Sequence, residues 1–107
     1  MLCAPTKDDF VTDGPFIYKM KNGNLLMLWS SQGVEGYAMG MAISENGIKG
    51  PWHHVEKPLF SKDGGHGMIF DFNGKTYVSL HHPNMPFLSE RPHFFEIIEE
   101  DGVLRIV

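Results

Sequence analysis

Four dipeptides constrain the fold of this chain more than any other feature: Asn22-Gly23, Asn46-Gly47, Asn73-Gly74 and Asp101-Gly102. Each stands between apolar runs, and Asn-Gly or Asp-Gly in that setting is the strongest short signal for a β-hairpin, because both residues accept positive φ. The runs they join recur in one order. The first unit begins at Asp13 with "DGPFIYKMKNGNLLMLWSS", continues with "YAMGMAIS", and closes with the turn "ENG" and "GPWHHV". The second begins at His66 with "HGMIFDFNGKTYVSLHHPN", continues with "HFFEIIEE", and closes with "DG" and "VLRIV". Each unit holds four strands linked by hairpins, and the repeat of roughly fifty residues is in the range of propeller blades.

Helices are disfavoured along the whole chain. The best periodic stretch, "GYAMGMAISEN", alternates Tyr37, Met39, Met41 and Ile43 with Ala38, Gly40, Ala42 and Ser44. That is period two, which belongs to a strand. Twelve glycines and seven prolines point the same way, toward short strands and turns. The expected fold is therefore all-β, with two antiparallel four-stranded units over about 13–57 and 66–107. Such a sheet cannot bury both faces alone, and a propeller solves this by stacking sheets around a channel. A two-layer sandwich would bury the same pattern and is the competing architecture.

Composition excludes some classes of function. The net charge of −4 is spread without long runs, unlike the basic footprint of a nucleic-acid binder. No apolar run is long enough to cross a membrane as a helix. Cys3 is the single cysteine and makes no internal disulfide. Residues Met1 to Pro5 lack the basic start and long apolar stretch of a secretory signal; the chain itself reads as a piece of something longer.

The candidate chemistry sits at the openings of the two units. Asp13, in "VTDGPFIYK", is either a turn residue beside Gly14 and Pro15 or a carboxylic acid aimed into a cleft. His66 lies between glycines in "GGHG", where it either satisfies a tight loop or lines the channel. In a propeller the first strand of each blade lines the channel, so Asp13 and His66 are expected at equivalent places at one end of it. The adjacent pairs His53-His54 and His81-His82 point to opposite faces of a strand and do not chelate by themselves. Neither Cys-x-x-Cys nor His-Glu-x-x-His spacing occurs, which disfavours a dedicated zinc site. Trp29, Phe70, Tyr77 and the methionines, Met68 included, read as core, and Trp52 as a packing residue between blades.

The segments "VTDGPFIYK", "GNLLMLWSS", "GYAMGMAISENGIKGPW" and "GGHGMIFDFNGKTYVSLHHPN", in this order, resemble the C-terminal part of a family 43 glycoside hydrolase domain. That family includes β-xylosidases, α-L-arabinofuranosidases and arabinanases, and its members are often secreted or periplasmic. The resemblance implies the last two blades of a five-bladed propeller and hydrolysis of arabinose- or xylose-containing glycans with inversion. It implies that Asp13 stands where the family has its proton donor, although the family uses Glu there and Asp withdraws the carboxyl by one methylene. It implies that His66 matches a histidine reaching a central cation, often calcium, directly or through water; no organic cofactor is implied. An inverting site needs two carboxyl groups about 6.5–9.5 Å apart. Asp8, Asp9 and Asp71 show no paired spacing with Asp13, so the water-activating base is expected on other polypeptide. The rival reading is a non-catalytic carbohydrate-binding or interaction module built from the same blades. Two blades leave two apolar faces, which makes a homo-oligomer or association with further blades the expected state.

Overall fold

A computed structural model describes residues 13–33, 36–83 and 89–107. Cys3, Asp8, Asp9 and Asn84 lie outside the described residues. Among the described residues eight strands form two separate four-stranded sheets, each antiparallel in simple sequence order. The first holds β1 (Asp13–Lys19), β2 (Leu25–Gly33), β3 (Gly36–Ser44) and β4 (Trp52–His54). The second holds β5 (Gly65–Phe72), β6 (Lys75–His82), β7 (Arg91–Glu100) and β8 (Val103–Ile106). No helix occurs among the described residues. The meandering order and face-to-face stacking of the two sheets are those of propeller blades.

The Asn-Gly and Asp-Gly signals divide into two kinds. Asn73-Gly74 and Asp101-Gly102 have positive φ at both residues and join directly paired ends, Phe72 with Lys75 and Glu100 with Val103. These are two-residue hairpins of the mirror-image type whose twist suits flanking strands. Asn22-Gly23 sits instead in a five-residue loop between the paired Lys19 and Leu25. There the Asn22 side chain accepts from the Asn24 amide, and Met20, only 2% exposed, tucks into the core. Asn46-Gly47 lies in a longer loop, where the Ser44 hydroxyl donates to the Gly47 carbonyl. Trp52 closes this same loop, its indole donating to the Ile48 carbonyl.

The core lies between the sheets. Leu26, Leu28, Met39 and Met41 of the first sheet meet Ile69, Val78, Leu80, Ile97 and Leu104 of the second. Alternation decides which side chains reach it, as β3 shows: Tyr37, Met39 and Met41 are buried in turn. Segment 55–64 runs along the free edge of β3, where Val55 and Leu59 donate to the carbonyls of Met41 and Met39 and Gly64 to that of Tyr37. An edge strand's unpaired backbone groups are thereby satisfied before the chain enters the second sheet.

Both first strands carry a bulge at the same place. In β1 the ladder shifts between Asp13, paired with Ser30, and Phe16, paired with Leu28. In β5 it shifts between Gly65, paired with His81, and Met68, paired with Ser79. Matching the two ladders puts Gly65 with Asp13 and His66 with Gly14. The backbone agrees, with φ +56° at Gly14 and +57° at His66. The expected equivalence of Asp13 and His66 is thus displaced by one residue, because the bulge and not the polar-glycine pattern sets the register. Met68 and Phe70 also depart from expectation: they point away from the first sheet, 57% and 40% exposed.

Candidate functional site

The starts of β1 and β5 lie side by side. A Cβ built on Gly14 would meet the His66 ring at 3.0 Å, so the backbone that opens the first sheet runs directly beneath the histidine of the second. The backbone of Asp13 pairs with Ser30, and the Ser30 hydroxyl accepts from the His66 amide at 2.8 Å. Asp13, Ser30 and His66 therefore meet at one end of the two sheets through the chain path of the two bulges.

Glycine is demanded here by close approach. A Cβ at Gly65 would lie 2.7 Å from the Ser30 hydroxyl and 2.9 Å from the Tyr37 ring, and one at Gly67 would fall on the Met39 sulfur. The "GGHG" run is thus packed tightly against the first sheet, and His66, itself exposed, is the side chain that stands out of it. Tyr37 stacks on His81, with ring centroids 5.6 Å apart and planes 13° apart, and its amide donates to the Asp63 carboxylate. His82 turns the other way and packs against Phe60 and His93. The two adjacent histidines thus serve different faces of β6, as strand alternation requires.

A shallow open recess of about 370 Å³ extends from His66 along the side of the second sheet that faces away from the first, with Ser79, His81, Glu90 and Arg91 supplying its polar wall. Met68, Leu80 and Pro92 make most of its lining apolar, with the polar groups set around it. Asp71 lies elsewhere. Its carboxylate accepts from Thr76 at the hairpin end of the second sheet, so it takes no part in this site. Tyr18 is near that end. Burial first, then the negative charges of Glu99 and Asp71, push its phenol above the ordinary value of 10.0, and a hydrogen bond with Thr76 acts against them.

Among the described residues no three His, Cys, Asp or Glu side chains converge in a way that could hold a metal ion. Calcium takes six to eight oxygen ligands. Around His66 the described side chains offer the Ser30 hydroxyl at its amide and, along the recess, the Ser79 hydroxyl and the Glu90 carboxylate, fewer oxygens than that. Ser30, Tyr37 and Arg91 belong to this region without any sequence signal of their own. They are common residue types brought in by long-range pairing, and only the close-packed glycines around His66 mark where the pairing converges.

No family description matches the sequence, and no curated protein is similar to it. Solved structures do match. The endo-arabinase of Bacteroides thetaiotaomicron VPI-5482 superposes with a TM-score of 0.78 at 45% identity, over 86% of this chain and 33% of its own. An endo-1,4-beta-xylanase from the same organism superposes with a TM-score of 0.76 at 26% identity, over 91% of this chain and 38% of its own. A thermostable family-43 glycoside hydrolase gives a TM-score of 0.77 over 95% of this chain and 39% of its own; at 24% identity that likeness speaks for the fold alone. The chain thus spans between 33% and 39% of the length of these structures. With two stacked four-stranded sheets and this degree of likeness, the chain resembles a partial family 43 glycoside hydrolase domain, two blades of its propeller.

Proposed function

We propose that this chain forms the proton-donor half of a cleft that hydrolyses arabinose- or xylose-containing glycans with inversion. The observation that carries the reading is the meeting of Asp13 and His66 at one end of the two sheets, bridged by Ser30, in a chain 45% identical over the matched residues to an endo-arabinase. In this reading the Asp13 carboxyl protonates the leaving oxygen. The recess beside His66 holds a sugar ring by hydrogen bonds from Ser79, His81 and Arg91. His66 is the residue that would meet a central calcium ion, directly or through water. The carboxylate that activates the attacking water comes from another stretch of polypeptide, as inversion requires a second group on the opposite side of the bond.

The test is direct. The purified 107-residue chain is titrated with linear arabino- and xylo-oligosaccharides while backbone amide resonances are followed. Shifts are expected at Gly14, Ser30, Gly65, His66 and His81, with no release of nitrophenol from aryl pentosides. The absence of any shift with either sugar series would refute the cleft. Turnover that disappears in Asp13→Asn would refute the placement of the base elsewhere.

A further inference from the structure

Four rings close into one cluster on the side of the second sheet that faces the first. Phe60, from the segment along β3, has its centroid 5.4 Å from that of His82 on β6 and 5.6 Å from that of Phe95 on β7. His93 of β7 completes the circuit, 5.2 Å from His82 and 6.3 Å from Phe95. Phenyl rings suit this place, because Val78, Leu80 and Ile97 on the same face are core. Imidazoles suit it only with partners, since an unpaired polar nitrogen taken out of water costs free energy. His82 Nδ1 is buried and has no hydrogen-bond partner. An orphaned buried nitrogen of this kind calls for an occupant that can bond to it.

The spacing of the two imidazoles identifies the occupant as an ion. Leu80 pairs with His93 and His82 with Arg91, so the histidines are diagonal neighbours across the β6–β7 ladder and within reach of each other. A bond of about 2.0 Å from zinc to an imidazole nitrogen sets the ring centroid roughly 3.2 Å from the ion. Two imidazoles at a tetrahedral angle then have centroids roughly 5.2 Å apart. His82 and His93 stand at that separation, and their planes, 75° apart, are not those of a stacked pair. The His82 ring is also held in place. Phe60 flanks it edge-on, and a Cβ on Gly64 would lie 3.2 Å from the His82 Cβ. Both histidines are half-buried, which leaves a side open to a small hydrated ion. Strand pairing, not sequence spacing, brings them together.

We propose that His82 and His93 form a two-imidazole site for a divalent ion of the zinc type, with water filling its remaining positions. Imidazole nitrogen suits zinc and its transition-metal neighbours, whereas calcium and magnesium seek carboxylate and carbonyl oxygen. Among the described residues no carboxylate joins the pair to make a third ligand. The ion ties β6 to β7 at the last rungs of their ladder, so its binding adds to the stability of the second sheet. The site uses neither Asp13 nor His66 and stands apart from the glycan reading.

Zinc chloride titrated into the 107-residue chain, with the imidazole resonances followed, tests this. The His82 and His93 rings should shift together, ahead of the other histidines, and saturate at one ion per chain. The thermal midpoint should rise with zinc concentration, because the ion binds the folded state. Calcium chloride at the same concentration should move neither ring. His82→Gln and His93→Gln should each weaken zinc binding by more than about tenfold, since even an outer-shell partner is worth that much to a metal site. His54→Gln, on the first sheet, should leave zinc binding unchanged. Should His82→Gln unfold, judged by circular dichroism, His93→Gln carries the same test from the other strand. Zinc that moves another histidine first, moves all six alike or leaves His82 and His93 unshifted overturns the proposal. So does binding that survives both glutamine variants.

Discussion

The two sheets share a ladder, a bulge and a left-handed residue at the same place, but they do not share a pattern of burial. On the outer side of the first sheet, Trp29 is 7% exposed and Ala42 fully buried. On the outer side of the second, Phe72 and Phe94 are 61% and 63% exposed. Side-chain alternation fixes which residues share a face and leaves open whether that face is covered. Small residues, Ala38, Gly40 and Ala42, let one large ring lie over β3 in the first sheet, whereas the second presents large side chains on every strand of its patch. Side-chain size, and not hydrophobicity alone, thus separates the covered face of the first sheet from the exposed face of the second.

The comparison breaks first at the core. Leu28 and Phe94 are both apolar strand residues, but Leu28 is fully buried between the sheets. Leu28→Ala should lower unfolding free energy by about 2–5 kcal/mol, while Phe94→Ala in the dilute chain should stay within about 0.5 kcal/mol. Urea unfolding of both variants measures this, and equal losses would mean that the outer face is as closed as the inner one. A smaller loss is expected where the sheets touch. Gly67→Ala places a methyl against the Met39 sulfur, in a site where Met39 is fully buried, and should cost about 1–3 kcal/mol. A thermal midpoint unchanged by this substitution would show that the sheets separate easily at this point.

The smallest effect is one of pH. The Tyr18 phenol is raised above 10.0 in the folded chain, mainly by burial and then by Glu99 and Asp71. It is protonated in both states at lower pH. As the pH climbs past the unfolded value, the unfolded chain loses this proton first. The stability that the folded form draws from its neutral phenol is therefore complete below pH 10 and lost as the pH rises through the folded-state value. Tyr18→Phe should flatten that decline in denaturation curves recorded at increasing alkaline pH. Parallel declines in both proteins would mean that the phenol ionises as readily in the folded chain as in the unfolded one.

Much of the fold was readable from local chemistry. Period-two runs and the Asn-Gly or Asp-Gly pairs locate strands and turns, since each depends on neighbouring residues alone. What escaped was set by distance along the chain. The bulge that pairs His66 with Gly14 instead of Asp13 depends on where β5 and β6 lock together, and "HGM" and "DGP" look alike until that register is known. Met68 and Phe70 read as core because nothing local says which of two apolar faces meets the other sheet. In the site, glycines made the neighbourhood of His66 conspicuous. Ser30 and Tyr37 carry no such mark, though one accepts from the His66 amide and the other lies against Gly65.

The contact between Gly67 and Met39 has a consequence in redox chemistry. Oxidation of a thioether adds one oxygen and makes the side chain polar. At Met39 that oxygen would need the space already denied to a methyl group on residue 67, in a site without solvent. Met68, the next residue along β5, holds its sulfur on the open side. Peroxide thus meets two methionines in adjoining layers, one reactive as the molecule stands and one reactive only when the sheets part. The slow oxidation of Met39 is a clock for the opening of the two sheets.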